Sequence, residues 1–178
     1  VTINPGTYCL GIAIGSKANV TFNPGVYVLN RGDFSVNAQA VVNCNCANGE
    51  GVTIILTSST SANQIGRVFI NGGATVNLAA PSYVGAPYRG LLFVQDGRVP
   101  SNATSASNRF NGGSNMILKG GFYFPGAEVQ WSGNNATSNC IQVVARTVTF
   151  TGNSRLEVGG CPAAGVAPIQ ITAARLVE

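Results

Sequence analysis

The sequence predicts an all-β chain, a single domain over residues 1–178 folded as a right-handed parallel β-helix (a β-solenoid) with about 20 residues per coil. Three observations carry that expectation. Turn chemistry recurs: Asn4-Pro5-Gly6-Thr7-Tyr8 returns as Asn23-Pro24-Gly25-Val26-Tyr27, an offset of 19. Small polar turns followed by alternating apolar residues open at Gly15, Gly72, Gly112 and Gly152. The last three stand 40 apart, which two coils of about 20 residues would produce. Finally, the apolar segments between turns are short, rich in β-branched residues and poor in helix formers.

Taken along the chain, the Pro-Gly pairs come first. Pro at the second and Gly at the third position predict type II turns at Asn4–Thr7 and Asn23–Val26. The strands expected after them are Val52–Leu56, Val68–Ile70, Leu91–Val94, Phe122–Phe124, Ile141–Val144, Val148–Phe150 and Ile169–Ile171. Two stretches break the period and read as irregular loops, residues 57–64 (Ser/Thr-rich) and 96–109 (with Pro100). Loops on a rigid scaffold are where function concentrates. Trp131 alternates with Val129 and suits a core position. The run Thr147-Val-Thr149-Phe-Thr151 occurs once, so strand propensity explains it better than an ice-binding ladder. A sandwich or jelly roll is the competing architecture, but it gives no reason for turn chemistry to recur at this spacing.

Composition narrows the chemistry. Charged residues make up 9% of 178, against the usual quarter, while hydrophobic residues are an ordinary 45%. Gly (23) and Asn (19) take the place of Lys and Glu. A disordered chain would show low hydrophobicity and high net charge, and no 18-residue apolar run predicts membrane insertion. The absence of His removes Ser-His-Asp and Cys-His nucleophile systems and every His metal ligand. The six carboxylates (Asp33, Glu50, Asp96, Glu128, Glu157, Glu178) form no local cluster, so no catalytic residues, cofactor or metal are expected. The net charge of +4 is spread singly along the chain, which argues against a nucleic-acid partner.

Five cysteines on so uncharged a chain point to an oxidising compartment. Cys140 and Cys161 lie 21 residues apart, one expected coil, and stacked strands are about 4.8 Å apart, inside the disulfide window. They are predicted to bond. Cys9 could reach Cys44 or Cys46 only if the Asn43–Glu50 loop folds back. The Cys44-Asn45-Cys46 spacing is too short for a zinc pair.

Two surface features are candidate contacts. The corner Gln95-Asp96-Gly97-Arg98 sets a carboxylate and a guanidinium beside a loop, fit either to staple a turn or to grip a sugar or a partner's charge. Tyr83 and Tyr88, near Pro81 and Pro87, are candidates for exposed aromatic contact.

With these segments laid out, the chain resembles the C-terminal region of bacterial TadE/TadG-like proteins of Tad (Flp) pilus assembly. The similarity is carried in order by Asn4-Pro-Gly-Thr-Tyr-Cys9, Asn19-Val-Thr-Phe-Asn-Pro-Gly-Val-Tyr27 and Gly51-Val-Thr-Ile-Ile-Leu-Thr57. It continues through Ile70-Asn-Gly-Gly-Ala-Thr-Val-Asn-Leu-Ala-Ala-Pro81, Gly90-Leu-Leu-Phe-Val-Gln-Asp96, Phe110-Asn-Gly-Gly113, Tyr123-Phe-Pro125 and Thr147-Val-Thr-Phe-Thr-Gly-Asn153. The Cys44-Asn-Cys46 pair and Gly97 depart from the pattern. The resemblance implies an envelope-exposed or extracellular domain behind an N-terminal anchor, in the company of pilus or envelope proteins, and brings no catalytic residues. With no signal peptide ahead of it, Val1 reads as the start of a mature form or a fragment.

The functional expectation is a non-enzymatic structural or adhesive module, able to stack end to end through open strand edges. Its expected partners are pilus or envelope proteins, other copies of itself or a glycan. The alternative is a carbohydrate-active β-helix of lyase or hydrolase type, which would need carboxylates to converge on one face.

Overall fold

The computed structural model describes residues 1–100, 107–112, 116–133, 140–153 and 156–162. The expected Ile169–Ile171 strand, the turns at Gly113–Asn115 and Asn134–Asn135, and part of the 96–109 loop lie outside them. The strands are β1 (Thr2–Ile3), β2 (Gly6–Cys9), β3 (Ile12–Ile14), β4 (Asn19–Phe22), β5 (Gly25–Asn30), β6 (Phe34–Val36) and β7 (Val41–Cys44). They continue as β8 (Val52–Thr57), β9 (Val68–Ile70), β10 (Thr75–Ala79), β11 (Leu91–Gln95), β12 (Asn108–Gly112), β13 (Met116–Gly133) and β14 (Ile141–Thr151). Among the described residues a single 3-10 turn, Ala62–Gln64, interrupts them.

The regular right-handed β-helix expected from the repeats is not what forms. All 14 strands join one parallel sheet curled into an open half-barrel, with the mixed order β1-β4-β7-β10-β13-β11-β8-β5-β2. No constant coil length runs through it. Paired residues are 19 apart at Thr2↔Thr21, 22 at Asn19↔Val41, 34 at Val41↔Thr75 and 40 at Val76↔Met116. The spacing of 40 between Gly72 and Gly112 therefore reflects one register step and not two coils. The 40 between Gly112 and Gly152 does divide, through the pairs Gly112↔Gly133 and Ser132↔Thr151. Segments of unequal length lie between strands, so equal turns in sequence do not mean equal turns in space.

The Asn-Pro-Gly corners also differ from expectation. Gly6 and Gly25 sit at φ +156° and +139°, not the value near +80° of a type II turn. Each Pro-Gly pair feeds directly into a strand, and the Tyr four residues after the Asn closes the corner. The Tyr8 hydroxyl donates to the Asn4 carbonyl at 2.6 Å, and the Tyr27 hydroxyl donates to the Asn23 carbonyl at 2.7 Å. The two corners stack, with Asn23 Nδ2 donating to Asn4 Oδ1 at 2.7 Å and the tyrosine rings 5.9 Å apart. Burial pushes the Tyr27 phenol well above its ordinary pKa. A Cβ on Gly25 would come within 2.5 Å of the Pro5 ring, so the second corner needs glycine for space as well as for φ.

Alternation places one face of each strand in a continuous interior. Phe22, Tyr27, Phe34, Phe93, Phe110, Phe122, Phe124 and Trp131 form a chain of ring contacts with centroids 4.9–6.5 Å apart. Trp131 is buried and stacked on Phe110 at 5.0 Å. A polar pair is buried with them. Asn108 accepts from the Val68 N–H at 2.9 Å and Gln95 donates to the Gly66 carbonyl at 2.8 Å, so backbone groups next to β9 are satisfied by side chains.

Cys140 pairs with Cys161, their Cα atoms 4.5 Å apart, and both are buried. Cys44 pairs with Cys46 (Cα–Cα 5.2 Å), while Cys9 is free and exposed. Sequence reasoning looked for a long-range partner for Cys44 or Cys46, whereas the strand end at Cys44 turns its side chain back toward its near neighbour. Closing the 21-residue Cys140–Cys161 separation is worth about 3 kcal/mol on the chain-entropy account. The Cys140→Ser/Cys161→Ser variant is expected to lose about that much in urea denaturation. Unreduced peptide mapping of the wild type is expected to recover the two cysteines linked.

Candidate functional site

The two stretches read as loops meet on one side of the sheet. After β8, the Ser58 hydroxyl accepts the N–H groups of Thr60 and Ser61, the Thr60 hydroxyl donates to Gln64 Oε1, and Ser61 caps the 3-10 turn. These short hydroxyl side chains bond the local backbone, which orders the segment without a helix or ladder. After β11, Asp96 starts the second loop by donating its N–H to the Leu56 carbonyl at 2.9 Å.

Asp96 and Arg98 tie the loops together. Arg98 Nη2 lies 2.6 Å from Asp96 Oδ2 and also donates to the Ser58 carbonyl at 2.9 Å. The Asp96 carboxylate further accepts the Thr57 hydroxyl at 2.8 Å and the Arg98 N–H at 3.0 Å. This pair staples the loop after β11 to the end of β8. Hydrogen bonds from the Arg98 side chain hold the Asp96 carboxyl well below the usual carboxylate range. A depressed folded-state pKa means the contribution is full above the unfolded value of about 3.9 and is lost as pH falls through the folded value. Asp96→Asn is expected to cost about 1 kcal/mol at pH 7, since several hydrogen bonds weaken on a largely solvated pair. Urea titrations from pH 7 down to pH 2 are expected to show the difference from wild type shrinking below about pH 4.

Beneath the stapled loops lies a cavity of about 500 Å³. Its floor is the stretch before β6 and β9, where Phe34↔Val68 pairing sets Asp33 beside Arg67. The Arg67 N–H donates to Asp33 Oδ1 at 2.8 Å. Asn63, Gln64 and Ile65 form one wall, and Val99 and Pro100 form another. Arg31 enters from the corner after β5 with φ +64°, a left-handed conformation uncommon for a side chain of this size. Its Nε is buried without a hydrogen-bond partner. The Arg67 guanidinium lies over the Phe69 ring, 4.9 Å from its centroid.

Tyr83 and Tyr88 are about half exposed (46% and 47%) in the segment before β11. Asp96 and Arg98 follow the other end of that strand, so the fold keeps the tyrosines apart from the stapled corner. Tyr83 lines a smaller hollow of about 150 Å³ with Pro24, Pro81 and Pro87. Sequence reasoning missed Arg31, Asp33 and Arg67. One signal could have found them: the pattern Gly-x-apolar-x-apolar repeats as Gly32-Asp33-Phe34-Ser35-Val36 and Gly66-Arg67-Val68-Phe69-Ile70. Aligning the two brings Asp33 onto Arg67.

The carboxylates are dispersed among separate contacts. Asp96 holds the staple, Asp33 the Arg67 backbone, Glu50 the Ala47 N–H, and Glu128 the side chains of Gln130 and Thr149. Among the described residues no cluster of three or more Cys, Asp or Glu side chains could hold a metal ion. No helix among them is long and apolar enough to cross a membrane. The disulfides suit an oxidising setting.

Comparison with family models, with curated proteins and with solved structures finds no match. The resemblance to TadE/TadG-like proteins rests on the quoted segments alone.

Proposed function

We propose that this chain is a non-enzymatic structural and adhesive module of the bacterial cell envelope or its exterior, able to assemble end to end. The observation that carries the reading is the outer strand of the sheet. β14 pairs only with β13 among the described strands, and it exposes Val144, Val148 and Phe150. With Val158 nearby, the last two border an apolar groove of about 590 Å³. Ile141 at the start of β14 donates its N–H to the Glu157 carbonyl at 2.9 Å, and past that point a strand edge with apolar side chains recruits further strands. The occupant that fits is the β1–β3 side of a second copy, whose strands each have one neighbour here and run parallel to the rest. Association with a Tad-type pilus, behind a membrane anchor, is supported by the sequence resemblance.

Sedimentation over a concentration series tests assembly. The wild type is expected to gain mass with concentration, and Val148→Lys/Phe150→Lys to remain a monomer throughout. A wild type that stays monomeric at every concentration would overturn end-to-end stacking.

A further inference from the structure

We propose that the cavity beneath the stapled loops binds an acidic saccharide, taking the carboxylate of a uronic-acid residue between Arg31 and Arg67. This deepens the adhesive side of the role above by naming its ligand class.

The argument for an anion starts from unbalanced charge. Two arginines, Arg31 and Arg67, and one acidic residue, Asp33, line the same cavity. Among the described residues no ion pair involves Arg31 or Arg67, so neither is neutralised by a bridge. Asp33 already spends Oδ1 on the Arg67 N–H. An incoming carboxylate would supply charge-assisted acceptors for these arginines, and guanidinium geometry suits two carboxylate oxygens at once. Arg31 also holds a left-handed backbone conformation that glycine would take without strain.

The remaining walls select among anions. Asn63, Gln64 and Ser35 offer amide and hydroxyl groups that both donate and accept, which matches sugar hydroxyls. Ile65, Val99 and Pro100 give an apolar wall for the C–H face of a ring. Among the described residues no aromatic side chain lines the cavity, so a nucleotide base would lack its usual stacking partner. A net local charge near +1 fits one carboxylate per sugar better than a multiply charged phosphate, which Asp33 would repel. The volume of about 500 Å³ lies within the range for small-molecule sites.

The test is calorimetric titration of the intact chain at low salt with three probes: trigalacturonate, the neutral trisaccharide maltotriose, and inorganic phosphate. Trigalacturonate is expected to bind, with maltotriose at least about tenfold weaker, the loss of one charge-assisted interaction. Arg31→Gly, which relieves the left-handed conformation and so preserves the fold, is expected to weaken trigalacturonate about tenfold, and Arg67→Gln by a similar factor. Binding of maltotriose as tight as that of trigalacturonate would overturn the proposal, as would unchanged affinity in both variants. Phosphate binding as tight as the saccharide would reduce the cavity to a simple anion site, and no saturation by trigalacturonate at millimolar concentration would remove the site. Sedimentation of Arg31→Gly is expected to match wild type, so failure of saccharide binding and failure of assembly are read separately.

Discussion

Phe93→Ala is expected to destabilise the fold by about 3–5 kcal/mol, the range for deleting a buried aromatic ring. Phe93 is completely buried in β11 and touches the rings of Phe34, Phe110, Phe122 and Phe124 at 5.2–6.5 Å. Those rings come from β6, β12 and β13, so the deletion opens a cavity where several parts of the curled sheet meet. Collapse around it is limited because the neighbours are rigid rings on hydrogen-bonded strands. For a chain of this length the loss corresponds to a fall in Tm of roughly 6–20 °C. Val84→Ala, at a residue 84% exposed, serves as the control and is expected to change stability by less than about 0.5 kcal/mol. Thermal denaturation followed by circular dichroism measures both.

Gly66→Ala is expected to cost about 3 kcal/mol, through backbone overlap where the Phe93 change acts through a void. A Cβ at Gly66 would lie 1.8 Å from the Gly32 carbonyl oxygen. One at Gly32 would lie 2.1 Å from the Leu10 carbonyl carbon, and one at Gly11 would lie 2.2 Å from the Asp33 oxygen. Three successive corners thus pack main chain on main chain, and no side chain can rotate aside. The same contact forms part of the cavity floor, so the variant is expected to lose saccharide affinity along with stability. Gly15→Ala provides the comparison. Its added Cβ meets nothing within 4 Å, and its stability is expected to match wild type within about 0.5 kcal/mol.

The strands were legible where alternation was strong. Val68–Ile70 matches β9 residue for residue, and Val52–Leu56 and Leu91–Val94 each fall one residue short of β8 and β11. The architecture was less legible. Repeated Gly and Asn turns mark where the chain bends, but register depends on how much chain lies between bends, and that ranges from 19 residues at Thr2↔Thr21 to 40 at Val76↔Met116. The Asn-Pro-Gly corners were visible as turns, but their type was not, because the Tyr hydroxyl that closes each one acts from outside the four-residue window. Composition marked 57–64 and 96–109 as loops, although Thr57 ends β8 and Asn108 and Arg109 open β12. The cavity between them was not, since Arg31, Asp33 and Arg67 are ordinary surface residues until pairing of β6 with β9 sets them together. Asn108 and Gln95 read as loop and strand-end polar residues, and only the fold shows them buried against the backbone of Val68 and Gly66.

We propose that this sheet holds and assembles but does not cut. The most direct measurement incubates the purified chain with pectate, alginate and peptidoglycan and follows chain length by mass spectrometry. The account predicts that every polymer is recovered at its starting length, whether or not acidic saccharides are retained by the protein. Shortening of any of them, abolished by Asp33→Asn or Asp96→Asn in a folded variant, would contradict it and establish a carbohydrate-active enzyme instead.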